Sequence, residues 1–126
     1  MSSVIRHHEA EPSIEWYEEF CRRLESLRLN APKYADQDEA IPPDWAFIKV
    51  RNEIQNIRRL AGFPSVPVPD VWLGPDGDIG LTWDVGERTL DLIFGWGQFT
   101  ARFSNESKQQ LIEQKDVPSV LAQMAA

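Results

Sequence analysis

Apolar residues change their spacing midway along this chain, and each spacing predicts a different kind of element. From Ser13, the residues Ile14, Tyr17, Cys21 and Leu24 recur at steps of three and four, with Trp16, Phe20 and Leu27 widening the stripe. That pattern predicts an amphipathic helix. Pro12 and Ser13 suit its start, because a serine hydroxyl can accept an amide hydrogen bond from the first turn, while Glu15, Glu18 and Glu19 lie where the helix dipole favours negative charge. Arg22, Arg23 and Arg28 suit the opposite end. Residues 1 to 12 show no period and are expected to form a flexible N-terminal arm, leaving 13 to 126 as a single domain. Asn30 to Ile41, with Pro32, Asp36, Asp38 and Glu39, is expected to be an exposed loop.

A second helix follows. Pro43 fits a first-turn position, and Phe47, Val50, Ile54, Ile57 and Ala61 alternate steps of three and four on one face, with Ile48 and Leu60 widening it. Gly62 can close that helix in the left-handed conformation, and Pro64 prevents its resumption.

Beyond Pro64 the period shortens to two. Ile79, Leu81 and Trp83 share one face of a strand, as do Leu90, Leu92 and Phe94, and then Phe99, Ala101 and Phe103. The opposite faces hold Gly80, Thr82 and Asp84, then Thr89, Asp91 and Ile93, then Thr100 and Arg102. Three strands agreeing on one apolar face predict an antiparallel meander covered by helices on one side and wet on the other. Val66 to Leu73 adds a fourth strand at most, confined to an edge by its prolines. Gly74-Pro75-Asp76-Gly77-Asp78 reads as a turn, with Pro75 presetting φ and Gly77 taking a positive one. Gly95-Trp96-Gly97-Gln98 reads as a hairpin loop presenting a tryptophan. After polar Ser104 to Lys108, Gln109 to Gln114 is expected to form a short helix, and Asp116 with Pro118 to start another through Val120, Leu121 and Met124.

The expected fold is therefore α+β: two amphipathic helices on one face of a three- to four-stranded antiparallel meander, with a short helical tail. A length of 126 residues suits one such core. No apolar run approaches the roughly 20 residues that span a bilayer, and the N-terminus lacks the apolar middle of a secretory signal, so no membrane association and a cytoplasmic location are expected. A formal charge of −7 argues against direct binding of nucleic acid, which needs clustered cations. Residues 41 to 62 are the one net-basic stretch, through Lys49, Arg51, Arg58 and Arg59; pairing with acidic neighbours and with the helix's own last carbonyls accounts for them.

Groups able to carry chemistry are few. Cys21 is the single cysteine and lies on the apolar stripe of the first helix, so it reads as a small buried hydrophobe with no disulfide partner in the chain. His7 and His8, with Glu9 and Glu11, lack the third imidazole and the scaffold that a zinc site or an acid–base catalyst requires. Asp84 and Asp91 project from the same sheet face on neighbouring strands; paired carboxylates can act as acid and base or hold a divalent ion, but solubilising a wet face is the reading favoured for them. No metal, cofactor or catalytic residue is expected. The surplus lies in aromatics: of five tryptophans, Trp16, Trp45 and Trp83 suit the core or its edge, whereas Trp72 and Trp96 fall in an edge run and a hairpin tip.

The order of an Ile/Leu-rich helix, a proline-rich run, then Pro75-Asp76-Gly77-Asp78-Ile79-Gly80-Leu81-Thr82-Trp83 and two further strands resembles a group of short uncharacterised bacterial proteins, often carried on mobile elements. The resemblance covers roughly residues 45 to 103 and implies no catalytic residues. Together these features predict a non-enzymatic factor that binds another protein, an accessory or inhibitor of the antitoxin or conflict-system kind, through Trp72, Trp96, Asp84, Asp91 and Arg102. Two alternatives belong to other classes: an acidic mimic of nucleic acid that occupies a basic groove, and a small metal-dependent hydrolase using the two aspartates. Homodimerisation is compatible with all three.

Overall fold

A five-stranded antiparallel sheet in the simplest order, β1-β2-β3-β4-β5, carries a layer of three helices on one face. The computed structural model describes residues 2–34, 40–96 and 99–125, and for 2–13 and 34 the backbone alone. Helices α1 (Ser2–Tyr34), α2 (Asp44–Leu60) and α3 (Val117–Ala125) lie side by side, α1 against β1 and α2, and α2 against β2 and α3. The strands are β1 (Asp70–Leu73), β2 (Ile79–Val85), β3 (Arg88–Phe94), β4 (Phe99–Asn105) and β5 (Lys108–Ile112). Among the described residues no helix is long and apolar enough to cross a membrane.

The alternation in the meander sets its inner face. Ile79, Leu81, Trp83, Leu90, Leu92 and Ala101 are buried beneath the helices, and Phe99 and Phe103 pack against the same core. In α2 the stripe of Phe47, Val50, Ile54 and Ile57 meets them, whereas Ile48 and Leu60 stay exposed. Gly62 takes φ +80° as the closing residue, and the Phe63 N–H bonds back to the Arg58 carbonyl at 2.8 Å.

The expectations need correction in three places. Helix α1 begins well before Ser13 and runs on through Asn30 to Tyr34, where a loop was expected; Ala31 is fully buried on the core face, and the Asn30 amide donates back to the Ser26 carbonyl at 2.8 Å. The arm expected over residues 1 to 12 falls on its opening turns, whose side chains lie outside the described residues, as do His7, His8, Glu9 and Glu11. The helix is also turned from its expected orientation. Trp16, Phe20, Leu24, Leu27 and Ala31 form the buried face, while Ile14 is exposed and Tyr17 and Cys21 are half-buried.

The second correction concerns the proline run. Residues 64–69 are not strand; they cross under α1 with Val66 and Pro69 buried, and pairing begins only at Asp70. Arg23 holds this crossing from α1, donating to the Val68 and Pro69 carbonyls at 3.3 and 3.1 Å. The third concerns the segment after β4. Gln109 to Gln114 is no helix: β5 pairs with β4 from Asn105↔Lys108 to Ala101↔Ile112, giving five strands instead of three or four. A two-residue turn, Glu106-Ser107, returns the chain for this pairing, and the open edge of β4 rewards it with a ladder of hydrogen bonds.

That turn stores strain. Gly86 opens the matching turn between β2 and β3 with φ +63°, which costs glycine nothing, but Glu106 takes φ +57° with a Cβ in place. Replacing Glu106 with glycine is expected to raise stability by about 1 kcal/mol, read as a higher urea midpoint at constant slope. An unchanged or lower midpoint would mean that the Glu106 side chain contributes more than its backbone costs. After β5 a 3-10 turn, Gln114–Asp116, leads into α3, where Val117, Leu121 and Met124 are buried, as the expected tail helix requires. Arg88 closes α3, donating to the Gln123 and Met124 carbonyls at 3.0 and 3.1 Å, where the helix dipole favours a cation.

Candidate functional site

The sheet face turned away from the helices carries a polar row built by strand register. Thr82 stands opposite Asp91, Asp91 opposite Arg102, and Arg102 opposite Leu111, so one line of side chains runs across β2 to β5. These neighbours bond in sequence. The Trp72 indole N–H donates to Thr82 Oγ1 at 3.0 Å, the Thr82 hydroxyl donates to Asp91 Oδ1 at 2.6 Å, and Arg102 donates to Asp91 Oδ2 at 3.2 Å. Trp72 reaches Thr82 because Gly80 lies directly beneath its ring: a Cβ at Gly80 would come within 2.1 Å of the indole. A glycine inside a strand permits this close approach.

Four predicted site residues are therefore on this face, and three of them, Trp72, Asp91 and Arg102, belong to one network with Thr82 as its bridge. Asp84 stands apart from it, accepting from the Thr89 hydroxyl at 2.6 Å. The two aspartates thus share no hydrogen-bond partner: each is engaged by its own neighbours. Asp91 is further neutralised by Arg102, and among the described residues no group of three or more His, Cys, Asp and Glu is placed to hold a metal ion. Trp72 is half-buried against the sheet instead of projecting from it.

Trp96 lies elsewhere. It follows β3 and meets Trp45 of the first turn of α2, the rings edge to face with centroids 5.6 Å apart and planes at 62°. Trp45 is 47% exposed and Trp96 69%, so both residues of the pair present surface to solvent. Ile48, one turn along α2 from Trp45, is exposed as well. Expecting Trp45 at the core edge was therefore wrong. Helical spacing contained the correction: Trp45 lies two residues before Phe47, about 200° around the helix from the start of the buried stripe. The hairpin residues 97 and 98 lie outside the described residues.

Grooves flank α1 on both sides, among them one of about 340 Å³ between Ile14, Tyr17 and Glu18 of α1 and Gln55, Arg58 and Phe63. Another, of about 560 Å³, separates α1 from β1, between Glu19, Arg22, Arg23 and Ser26 on the helix and Val71, Trp72 and Leu73 on the strand. A third, of about 320 Å³, separates α1 from α2 near Cys21, Arg28, Asp44 and Arg51. At its rim Arg28 hydrogen-bonds Glu25 and reaches Asp44 at 3.3 Å; the Arg28 bond holds the exposed Glu25 carboxyl below its usual range. Burial, with a hydrogen bond to Cys21, raises the Tyr17 phenol above its usual range. Burial lowers the pKa of Arg58, whose guanidinium carbon lies 3.8 Å from the centre of the Trp16 ring, a cation–π contact within the core. Of the net-basic stretch, Arg58 is thus a packing residue, and Arg59 donates to Asn56 at 2.7 Å.

The arrangement offers a solvent-facing aromatic pair and a polar row linked by hydrogen bonds from Trp72 to Arg102, in which Arg102 Nε is buried without a hydrogen-bond partner among the described residues. Comparison of the chain with protein-family models, with curated protein sequences and with solved structures finds no match.

Proposed function

We propose that this chain is a non-enzymatic protein-binding factor, an accessory or inhibitor acting in the cytoplasm, and that its contact surface centres on Trp45 and Trp96. One observation carries the reading: two tryptophans, 47% and 69% exposed, held edge to face at 5.6 Å. Leaving that much aromatic surface in water is unfavourable, and rigid aromatic anchors are the side chains on which protein interfaces concentrate their affinity. The antitoxin-like or conflict-system role expected from the sequence fits a partner that covers this pair. Of the site residues expected there, Trp96 stays at its centre, Trp45 joins it, and Trp72, Asp84, Asp91 and Arg102 belong to the other face.

The test is affinity capture from the native host with the full chain as bait, beside Trp96→Ala, Trp45→Ala and, as an exposed apolar control away from the pair, Ile14→Ala. A chain that co-purifies with the parent and with Ile14→Ala is expected to fall about tenfold or more with either tryptophan variant, a loss of at least about 1.4 kcal/mol. Equal recovery on all baits would end the reading. Recovery that collapses as salt rises, whatever the tryptophan variant, would favour the acidic mimic of nucleic acid, because exposed charge pairs are screened and an aromatic anchor is not.

A further inference from the structure

Strand β1 leaves part of its outer edge unused. The Gly74 N–H bonds to the Asp78 carbonyl at 2.8 Å, and antiparallel alternation then makes Trp72↔Gly80 and Asp70↔Thr82 hydrogen-bonded pairs. The turn Gly86-Glu87 gives the same phase from the other side of β2: it closes on Val85↔Arg88, so Gly80 and Thr82 face β1. The N–H and C=O groups of Val71 and Leu73 therefore point away from β2. The Pro69 carbonyl, two residues earlier in the same alternation, is taken by Arg23 of α1 at 3.1 Å. Among the described residues nothing takes the outward groups of Val71 and Leu73.

These groups belong to the strand that walls the groove of about 560 Å³ between β1 and α1. A donor and an acceptor repeated at every second residue match the backbone of another extended chain. A chain laid there turns the side chains opposite Val71 and Leu73 toward the helix layer, because those two residues pack against the core on that side. The side chain between them lies beside Trp72, whose ring rests on the other face over Gly80.

Charge selects what that segment carries. The groove is lined by two guanidiniums and one carboxylate, in a chain whose formal charge is −7. Glu19 divides its oxygens between them, meeting Arg22 Nη1 at 2.7 Å and Arg23 Nε at 2.9 Å. Arg23 has further partners in the Val68 and Pro69 carbonyls and, from outside the groove, in Asp70 at 3.8 Å. Among the described residues Arg22 has only its share of Glu19, and its side chain is 74% exposed. We propose that this groove docks an extended acidic segment of a partner protein, which joins the sheet as a sixth strand beside β1, bonding the backbone of Val71 and Leu73 and setting a carboxylate on Arg22. The surface uses neither Trp45 nor Trp96, so it stands or falls separately from the aromatic pair.

The test is selection of a displayed library of random decapeptides on the full chain, followed by titration of the recovered peptides into isotope-labelled protein watched by amide NMR. Recovered peptides are expected to be rich in aspartate or glutamate among β-branched residues, and to shift the Val71 and Leu73 amides. Methylating alternate backbone nitrogens of a recovered peptide is expected to abolish binding in one phase and spare it in the other. Arg22→Glu is expected to weaken binding about tenfold or more, and a selection repeated on that variant to lose its acidic preference. Because the Val71 N–H faces outward, Val71→Pro removes no bond to β2 and is expected to act in the same direction; Arg22→Glu keeps the test intact if the proline variant does not fold. Recovery of no binding peptide overturns the proposal, as do peptides without acidic enrichment or binding that Arg22→Glu leaves unchanged. Peptides that shift Trp45 and Trp96 instead overturn it while supporting the aromatic pair as the contact surface.

Discussion

Replacing Trp16 with alanine is expected to lower the unfolding free energy by about 3–5 kcal/mol. Trp16 is buried where three segments meet. Its indole N–H donates to the Val66 carbonyl at 2.9 Å, its ring leans on Phe20 with centroids 5.7 Å apart, and Arg58 of α2 stacks on its face. Alanine removes all three contacts at once. It opens a cavity under α1, leaves a buried carbonyl without its indole donor, and takes from the Arg58 guanidinium the aromatic face that offsets part of its desolvation. Trp16→Phe separates the terms: the ring surface largely remains and the N–H is lost, for an expected cost of about 1–2 kcal/mol. Urea denaturation reads both. A Trp16→Ala cost under about 1 kcal/mol would show that the Arg23 bonds to the Val68 and Pro69 carbonyls suffice to hold the proline run.

That prediction depends on which face of α1 is buried, and there the sequence is ambiguous for a physical reason. Ile14, Tyr17, Cys21 and Leu24 fit the helical period as well as Trp16, Phe20, Leu24, Leu27 and Ala31 do, because both sets lie within one broad apolar arc and share Leu24. What selects between them is volume: the set with Trp16 and Phe20 fills the space over the proline run and α2, and no local pattern reports the shape of that space. By contrast, the stripe of α2 and the inner faces of β2, β3 and β4 were legible, because one face in each is almost wholly apolar and a shift by one residue would expose it. Strand β5 was not legible. Its apolar residues, Leu111 and Ile112, are adjacent and fit neither period, and the strand exists because β4 offers a partner.

The candidate site divides in the same way. Trp96 at a glycine-flanked tip could be found from sequence, and Trp45 opposite the α2 stripe could have been. The pairing of the two depends on how the β3–β4 hairpin meets the first turn of α2, which is a tertiary fact. Asp91 and Arg102 were placed on one face by alternation, but their contact needs the register Asp91↔Arg102, and the bridging role of Thr82 needs Trp72 to lie across β2. The available signal was Gly80. A glycine between Ile79 and Leu81 in a well-formed strand often marks a close approach by another group, and here that group is the indole.

Gly80→Ala should therefore be costly although alanine fits most strands better than glycine does. The added methyl would lie 2.1, 2.2 and 2.4 Å from three indole carbons of Trp72, well inside contact distance, and the sheet backbone beneath it is fixed by ladders on both sides. The ring must leave. With it goes the N–H donated to Thr82, and the threonine hydroxyl that bonds Asp91 loses its own donor. The expected cost is about 1–3 kcal/mol, accompanied by a red shift in tryptophan emission as the half-buried Trp72 enters water. Trp72→Ala distinguishes displacement from any other effect at position 80: once the ring is gone, adding Gly80→Ala should cost almost nothing, because the clash no longer exists. The double variant is then expected to be less destabilised than the two single variants summed, by an interaction energy on the order of 1 kcal/mol or more. Strict additivity would mean that Trp72 does not rest on Gly80, and the hydrogen-bonded row from Trp72 to Arg102 would lose the contact that positions its first member.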